Sequence, residues 1–304
     1  MIDNKHKLII VSGPTAVGKT AFALQLARHY KAEIISADSR QLYKEMNIGT
    51  AKPSTVELEE VKHHFINHIS IHKRFSSGDF EKEALDILER LFVKNDKVIV
   101  AGGTGLYIKA LTEGFDEMPA IDHEIRKHLN NLHVKEGLDP LLNMLKTKDP
   151  EYYERVDKHN YRRIIRALEV CLTTETSYST FRKSQSPRAR NFDTIYIGLT
   201  LDREILYERI NHRVDSMIRM GLFEEAKGLY PYRSLEALQT VGYKEIFDHL
   251  EGIYDFEEAV RLIKRNTRRY AKRQLTWLNN KENVTWFGPD DLDGATSFID
   301  KSGN

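Results

Sequence analysis

The sequence predicts an α/β fold in which helices flank a parallel sheet and a mostly helical insertion interrupts it. Short apolar runs typical of buried strands alternate with helical periodicity over the first part of the chain. Strand signals stop beyond about Gly114 and return at Thr194–Leu201, which implies that the chain leaves the sheet and re-enters it. We therefore predict a core of residues 1–115 and 191–304 and a helical insertion domain of residues 116–190.

Composition and charge exclude several classes of protein. The chain has 304 residues, 40% hydrophobic and 30% charged, as is usual for a globular protein of one large or two smaller domains. No apolar run resembles a membrane span, and Met1–Lys5 lacks the character of a signal peptide. The single cysteine, Cys171, excludes an internal disulfide and a cysteine-rich zinc site, so we expect a cytoplasmic protein.

The first predicted strand, Leu8–Val11, leads into the motif Gly-x-x-x-x-Gly-Lys-Thr and then into a helical repeat. This is a P-loop in its required context, so the predicted sheet is of the P-loop NTPase type. Gly13 and Gly18 let the backbone curl, so that successive N–H groups point at one anion. Lys19 adds positive charge, and the Thr20 hydroxyl is placed to bind Mg²⁺. The residues predicted to bind a di- or triphosphate are Gly13, Pro14, Thr15, Ala16, Val17, Gly18, Lys19 and Thr20.

A second strand is predicted at Ile34–Ile35, and Asp38 follows at its carboxyl end. Because ligands of open α/β sheets bind at the carboxyl ends of strands, Asp38 and the P-loop should share one crevice. Capping of the following turn is the alternative role for this aspartate. Its predicted place beside the P-loop favours a functional role.

A third strand, Val98–Val100, follows the amphipathic helix Phe80–Phe92 and ends in the glycine-rich turn Gly102–Gly105. Glycines in such a turn can simply allow a strand and a helix to pack closely. The turn nevertheless follows a strand, which places it at the same edge of the sheet as Lys19 and Asp38. Three strands, each followed by a helix or loop, favour a parallel sheet.

The histidines of the segment Lys62–His68 raise the question of a metal site. His64 and His68 have helical i, i+4 spacing, but no carboxylate stands where the H-E-x-x-H motif requires one. We therefore favour a short strand here over metal ligation. Later in the chain, a helix at Ile205–Met220, a loop through Gln239–Lys244 and a last strand at Val284–Phe287 complete the prediction.

Two zones of the chain are strongly basic, although the net charge of only +1 does not by itself favour a nucleic-acid partner. In the first zone Arg162 and Arg166 share a helical face, and the basic loop 181–190 follows. The second zone is a stripe along the predicted helix Phe256–Asn279, formed by Arg261, Arg265, Arg268 and Lys272. A solvated helix face usually mixes both signs of charge, and this one does not. The two zones suggest that a long polyanion crosses the site.

Eight segments, in order between about residues 8 and 288, resemble the tRNA dimethylallyltransferase family, also called tRNA isopentenyltransferases. The P-loop alone would be unspecific, whereas this ordered set is highly specific. The segments are Gly13–Thr20, Asp38–Tyr43, Ile48–Pro53, Gly102–Tyr107, Arg162–Glu169, Arg213–Met217, Val241–Tyr243 and Ala271–Trp277. Longer members of the family end in a zinc finger, and this chain, with its one cysteine, is similar to the short bacterial form.

The resemblance implies an enzyme that transfers a dimethylallyl group from dimethylallyl diphosphate to N6 of adenosine 37 in tRNAs reading codons that begin with U. It implies that Asp38 is the general base, that Arg213 neutralises the diphosphate, and that Lys19 and Thr20 complete the catalytic set with Mg²⁺ as cofactor. We expect a monomer that binds tRNA and no membrane. The residues implied to contact tRNA are Asp38, Ser39, Arg40, Gln41, Thr104, Arg126, Arg162, Arg163, Ile164, Ile165, Arg166, Gln239, Thr240, Val241, Gly242, Tyr243 and Lys244.

The residues alone leave two other functions open. A small-molecule or nucleoside kinase also uses a P-loop and Mg²⁺, but it does not need the basic zones at residues 162–166 and 261–273. A non-catalytic RNA-binding module would leave the P-loop and Asp38 unexplained. Prenyl transfer uses all of these features, because cations stabilise the departing diphosphate, a base takes the amine proton, and the target nucleotide must flip out of its stack.

Overall fold

The computed structural model describes residues 6–115, 118–119, 122–182 and 188–302. The chain divides into two compact units, which we call the sheet unit (residues 1–113 and 189–304) and the helical unit (residues 114–188). Residues 183–187 of the predicted basic loop lie outside the described part of the chain, as do residues 116, 117, 120 and 121 at the start of the predicted insertion domain. None of the described helices is long and apolar enough to cross a membrane.

The sheet unit contains six strands among its described residues. They are β1 (Lys7–Ser12), β2 (Ile34–Ser36), β3 (His63–His64), β4 (Lys97–Gly102), β5 (Asp193–Leu199) and β6 (Val284–Phe287). Their order across the sheet is β3-β2-β4-β1-β5-β6, so β1 lies between β4 and β5. Every pairing between neighbours is parallel, which confirms the predicted sheet.

Strand β1 is buried along its whole length, which explains its continuous apolar run. Successive side chains of a strand point to opposite faces of the sheet. Leu8 and Ile10 accordingly belong to one hydrophobic core, whereas Ile9 and Val11 belong to a second. The two cores hold β1 in place from both faces, and the loop that leaves its carboxyl end is therefore firmly anchored.

Four α-helices precede the insertion, and all belong to the sheet unit. They are α1 (Lys19–Tyr30), α2 (Thr55–Glu60), α3 (Ser77–Phe92) and α4 (Gly105–Glu113). The predicted helix Phe80–Phe92 is confirmed as most of α3, which begins three residues earlier because Ser76 and Asp79 form a capping box.

The helical unit is built from helices around its own apolar core. They are α5 (His123–Glu136), α6 (Asp139–Lys148), α7 (Pro150–Arg155), α8 (Tyr161–Thr174) and α9 (Tyr178–Phe181). Leu129, Leu141, Leu145, Ile164 and Leu168 are fully buried in this core. The Asn160 side chain caps α8 by accepting the N–H of Arg163 at 3.2 Å.

The chain then returns to the sheet unit, whose remaining α-helices follow β5. They are α10 (Arg203–Arg219), α11 (Leu222–Leu229), α12 (Tyr243–Leu250), α13 (Phe256–Asn279) and α14 (Leu292–Lys301). One boundary corrects the sequence prediction, because Tyr243 and Lys244 begin α12 and do not belong to a loop. Gly242, with φ 97°, ends the loop, and its N–H donates to the Glu245 carboxylate at 2.8 Å, which caps the new helix.

Candidate active site

The loop Gly13–Gly18 connects β1 to α1, and we call it the cradle because an anion is predicted to bind there. Ala16 and Gly18 have positive φ values of 67° and 114°, a backbone geometry that turns successive N–H groups toward one point. The amino end of α1 adds further N–H groups with positive partial charge. Gly13 permits a close approach to β5, since a Cβ there would lie 2.7 Å from the carbonyl oxygen of Leu199.

Lys19, the first residue of α1, bends back over this cradle. Its Nζ donates to the carbonyl oxygens of Gly13 and Pro14 at 2.9 and 2.7 Å. Burial and the neighbouring Arg213 lower the pKa of Lys19 to about 7, and Asp38 opposes this shift. The ammonium group is thus held by neutral carbonyls, which a phosphate oxygen would replace with a stronger, charge-assisted bond.

Two arginines of α10 lie against the P-loop. Nη1 of Arg213 is 3.5 Å from Oγ1 of Thr15, and Nη1 of Arg209 is 3.5 Å from the carbonyl oxygen of Val17. Burial lowers the pKa of Arg213 from its usual value, and Asp38 opposes the shift. The family resemblance predicts a role for Arg213 at this site but none for Arg209. Together with Lys19 these arginines concentrate positive charge around the cradle.

Asp38 lies two residues after β2, at the carboxyl edge of the sheet. Its Oδ1 accepts the backbone N–H groups of Arg40 and Gln41 at 2.8 and 3.3 Å, so the aspartate does cap the following turn. Its Oδ2 makes no hydrogen bond within the described part of the chain. Capping and catalysis are therefore compatible, because each would use a different oxygen.

Hydrogen bonds connect the loop of Asp38 to the glycine-rich turn that follows β4. The N–H of Ser39 donates to Oγ1 of Thr104 at 3.0 Å, and the two hydroxyl oxygens are 3.3 Å apart. The turn packs tightly on this loop, since a Cβ at Gly102 would lie 2.3 Å from the carbonyl oxygen of Ala37. The structure thus brings Asp38, Ser39 and Thr104 together, as the shared sheet edge predicts.

The side chains of Arg40 and Gln41, both implied to contact tRNA, hold neighbouring loops in this structure. Nη1 of Arg40 donates to the carbonyl oxygens of residues 236 and 237 at 3.1 and 3.0 Å. Nε2 of Gln41 donates to those of residues 50 and 51 at 3.2 and 3.1 Å. These bonds shape the surface around Asp38.

Helix α13 contributes Gln274 and Trp277 to the site; both lie in the segment Ala271–Trp277 of the family resemblance, which implies no role for either residue. Oε1 of Gln274 accepts the N–H of Thr15 at 2.8 Å, and its Nε2 donates to the carbonyl oxygen of Gly103 at 3.0 Å. The Trp277 ring packs on Gly105, where a Cβ would lie 2.4 Å from it. The signal that could have revealed Gln274 is its place in the buried stripe of the helix, where an unpaired amide would be costly.

The segment Gln239–Lys244, implied to contact tRNA, divides into exposed and buried positions. Gln239 and Lys244 are exposed, whereas the Tyr243 ring is fully buried. The Tyr243 hydroxyl donates to Glu225 at 2.6 Å, and burial raises the pKa of this phenol. The structure therefore assigns the Tyr243 side chain to the core and not to a ligand surface, because it lies on the buried face of α12.

In the helical unit, the segment Arg162–Arg166 also divides. Arg162 and Arg163 are exposed on α8, so the side chains of both are accessible to a binding partner. Ile164 and Ile165 are 0% and 4% exposed and pack in the core of this unit. Their side chains anchor the helix that carries the arginines and face the core, so a contact of these two residues with tRNA remains a prediction.

Arg166 and Arg126 share one buried partner in the helical unit. Glu169, on α8, is fully buried and receives Nη2 of Arg126 at 3.1 Å, with Nε of Arg126 also donating to it. Nη1 of Arg166 lies 3.6 Å from the same carboxylate. A buried carboxylate requires such partners, so these arginines stabilise the fold whatever else they bind.

The basic stripe of α13 is less uniform than its sequence suggests. Arg261 pairs with Glu258 one turn earlier at 2.6 Å. Nη1 of Arg268 donates to Oδ1 of Asn211 at 2.6 Å. Lys272, in contrast, is exposed, and its ammonium group makes no hydrogen bond or ion pair to the described residues. It lines a cavity of about 450 Å³ with Arg269, Arg273, Thr276 and Trp277.

The histidines near β3 are paired with carboxylates. Nε2 of His64 lies 2.7 Å from Glu33, and Nε2 of His68 lies 2.8 Å from Glu83. The predicted short strand is confirmed at His63–His64. Among the described residues, no group of three or more His, Cys, Asp or Glu side chains is arranged to hold a metal ion.

Comparison with known proteins places this geometry in a family. The family model described as IPP transferase matches residues 41–281. The chain is 52% identical over 284 residues to the tRNA dimethylallyltransferase of Christiangramia forsetii, covering 93% of this chain and 94% of the relative. The full-length tRNA isopentenylpyrophosphate transferase from Bacillus halodurans has a similar structure, with a TM-score of 0.73, 38% identity and coverage of 98% and 97% of the two chains. A eukaryotic dimethylallyltransferase, described as acting on tRNA, gives a TM-score of 0.80 at 28% identity over 97% of this chain and 80% of that one.

Proposed function

The chain belongs to the IPP transferase family, and we propose that it transfers a dimethylallyl group from dimethylallyl diphosphate to N6 of adenosine 37 in tRNA. The products would be N6-(dimethylallyl)adenosine and diphosphate, and the substrates tRNAs that read codons beginning with U. The family membership favours this reaction over phosphoryl transfer by a kinase. The observation that carries the proposal is the placing of a phosphate cradle and the Asp38 carboxylate at one edge of the sheet, with Lys19 and Arg213 beside them.

For the reaction to occur, the allylic carbon of the donor must become electrophilic and the exocyclic amine of the adenine must become nucleophilic. The lone pair of the exocyclic amine of adenine is delocalised into the ring, so the allylic carbon must gain cationic character as the diphosphate departs. Lys19, Arg213 and the N–H groups of the P-loop would stabilise the negative charge that grows on the leaving group. Oδ2 of Asp38 would accept the amine proton as the C–N bond forms, while Oδ1 keeps the turn in shape.

Mg²⁺ fits the residues present. The Thr20 hydroxyl, in the first turn of α1, makes no hydrogen bond to the described residues, and it is a hard oxygen of the kind that Mg²⁺ prefers. Mg²⁺ usually combines one or two protein oxygens with waters and substrate phosphates, so it does not require a cluster of carboxylates. We propose that Thr20 holds the ion together with the diphosphate. When bound, the ion would neutralise part of the leaving-group charge.

The polynucleotide would be held by exposed basic residues outside the cradle. In the helical unit these are Arg162 and Arg163, and in the sheet unit they are Lys244 and Lys272. Contacts of this kind to phosphates supply affinity without reading the base sequence. The acceptor adenine must leave its stack to reach the sheet edge, so we expect a flipped nucleotide.

The proposal is tested by incubating the protein with Mg²⁺, dimethylallyl diphosphate and unmodified tRNA, then digesting the tRNA to nucleosides for mass spectrometry. We expect N6-(dimethylallyl)adenosine, and sequencing of modified fragments should place it at position 37. A parallel reaction with ATP in place of the prenyl donor should leave the tRNA unmodified. Absence of the modified nucleoside with the folded protein would refute the proposal.

A further inference from the structure

Gln274 connects the P-loop to the turn that follows β4 through both ends of its side-chain amide. The bonds to the Thr15 N–H and the Gly103 carbonyl are 2.8 and 3.0 Å long. The side chain is 8% exposed, so water cannot readily replace either partner. A backbone N–H can only donate and a carbonyl can only accept, and this fixes the orientation of the amide.

In the proposed reaction, each of the two loops would lie beside a different substrate. The P-loop, at the end of β1, would hold the diphosphate of the prenyl donor. The turn at the end of β4 carries Thr104, which bonds Ser39 and thereby the loop of Asp38, on the acceptor side. Gln274 on α13 therefore contacts both the donor loop and the acceptor loop.

The turn is shaped to receive this amide. A Cβ at Gly103 would lie 1.9 Å from Nε2 of Gln274, so only glycine leaves room for the bond. One turn further along α13, Trp277 packs on Gly105, where a Cβ would lie 2.4 Å from the ring. Such close packing leaves little freedom for the turn to move relative to the helix.

We propose that Gln274 is a positioning residue that sets the distance between the donor diphosphate and the acceptor adenine. This inference rests on the proposed function. Other residues would supply the affinity for each substrate, namely Lys19 and Arg213 for the diphosphate and the exposed basic side chains for tRNA. Loss of the amide should therefore reduce the rate at saturation and leave both affinities nearly unchanged, since a misplacement of about 1 Å can cost about 100-fold in rate.

The first test is the Gln274→Met variant, which keeps the length of the side chain and removes both hydrogen bonds. We expect the single-turnover rate constant, with dimethylallyl diphosphate and tRNA both saturating, to fall about 10- to 100-fold. The dissociation constants of inorganic diphosphate and of tRNA should stay within about threefold of the wild-type values. Gly103→Ala, which pushes the amide away from the turn, should reproduce this pattern.

The second test uses Gln274→Glu, whose hydrogen-bonding capacity depends on pH. A carboxylate can only accept, so it cannot bond the Gly103 carbonyl, whereas a protonated carboxyl both accepts and donates as the amide does. We expect the rate of this variant, divided by the wild-type rate at the same pH, to rise about tenfold between about pH 8.5 and about pH 5.5. Division by the wild-type rate removes the titration of Lys19, which with Arg213 supplies the charges near Thr15. Gln25→Glu, on the exposed face of α1, adds the same charge elsewhere and should show no such rise.

The outcomes separate the inference from the proposed function. Wild-type protein that transfers no prenyl group would overturn the proposed function and this inference with it. If the wild type is active, three results overturn the inference alone: Gln274→Met within about threefold of the wild-type rate, Gln274→Glu equally slow at both pH values, or a loss of folded protein in thermal melting that matches the loss of rate. Slow transfer by Gln274→Met together with rescue of Gln274→Glu at low pH would establish the positioning role.

Discussion

Lys19 is a residue whose charge depends strongly on its surroundings. Its pKa of about 7 in the free protein means that burial and Arg213 already remove part of its charge near neutral pH. A diphosphate binds the charged form, so binding above pH 7 must take up a proton. The affinity should therefore be greatest below the pKa and fall as the pH rises through it.

This dependence gives a prediction for inorganic diphosphate with Mg²⁺. We expect the dissociation constant to rise by up to about tenfold between about pH 7.5 and about pH 8.5 in the wild type. Lys19→Arg keeps its charge over this range and should flatten the dependence. Isothermal titration calorimetry in buffers of different ionisation enthalpy measures both the affinity and the proton uptake. Equal affinities of the wild type at the two pH values would contradict the lowered pKa.

We propose different roles for the two carboxylate oxygens of Asp38, and asparagine can replace only the oxygen that caps the turn. In Asp38→Asn the amide oxygen can still accept the N–H groups of Arg40 and Gln41, so the turn should survive. The basic oxygen is lost, and we expect single-turnover prenyl transfer to fall by about 10²- to 10⁴-fold. Binding of tRNA should change much less, because one hydrogen bond to a base is worth about 1–3 kcal/mol.

The matched control for this prediction is Asp157→Asn. Asp157 accepts the N–H of His159 at 3.0 Å in the same i to i+2 geometry, but it lies in the helical unit and outside the proposed catalytic set. This variant should transfer at the wild-type rate. Near-normal transfer by Asp38→Asn would show that the proton leaves to water or to diphosphate, and that Asp38 only caps its turn.

On the scale of elements, α13 has two faces with different tasks. Gln274 and Trp277 pack against the loops of the site, while Lys272 is exposed and lines the cavity described above. The Arg268 guanidinium donates a hydrogen bond to Asn211 on α10, so part of its hydrogen-bonding capacity is used in the contact between α13 and α10. We therefore propose that the exposed cations of this helix contact tRNA.

This assignment predicts different salt dependences for two cations on the same helix. Neutralising a phosphate contact by Lys272→Gln should reduce the slope of log affinity for tRNA against log salt by about 0.7 to 0.9. Arg261→Gln should change the slope less, because Glu258 already compensates the charge of Arg261. Filter binding between about 50 and 200 mM salt measures the slopes. The reverse order of the two effects would contradict the assignment and leave Lys272 as part of a solvated face.

At the scale of the whole molecule, the sheet unit depends on contacts between segments that lie on either side of the insertion. Arg190, in the segment that returns to β5, donates through Nη2 to Glu81 on α3 at 2.7 Å and to the Ala110 carbonyl on α4 at 2.8 Å. The Arg190 and Glu81 side chains are each 11% exposed. This ion pair therefore joins the two halves of the sheet unit in a poorly solvated place.

Removal of one partner should leave the other charge buried and uncompensated. We expect Arg190→Ala to lower the free energy of unfolding of the sheet unit by about 3–5 kcal/mol. Urea unfolding followed by tryptophan fluorescence measures it, since both tryptophans, Trp277 and Trp286, lie in this unit. As a control, Arg233→Ala breaks an exposed pair with Glu251 and should cost no more than about 1 kcal/mol. Equal losses of unfolding free energy in the two variants would show that the Arg190–Glu81 pair stabilises the protein no more than the exposed Arg233–Glu251 pair does.

The sequence by itself determined the sheet, the phosphate cradle and the family. A strand buried on both faces needs a continuous apolar run, and a P-loop needs glycines and a lysine at fixed spacing, so both leave local patterns that can be read without a structure. The parallel order follows from strands alternating with helices. Asp38 and Thr104 could be placed beside the cradle because the carboxyl ends of parallel strands meet at one edge.

Only the tertiary structure decided which residues of each motif face the surface and which face the core. Tyr243, Ile164 and Ile165 stand beside exposed basic residues in the sequence, yet their side chains are buried, because neighbouring positions on a helix point in different directions. Gln274 contacts Thr15 across 259 positions of sequence, and no local pattern encodes a pairing over that distance. The pKa of Lys19 likewise depends on Arg213 and on burial, which arise only when α10 packs against the P-loop.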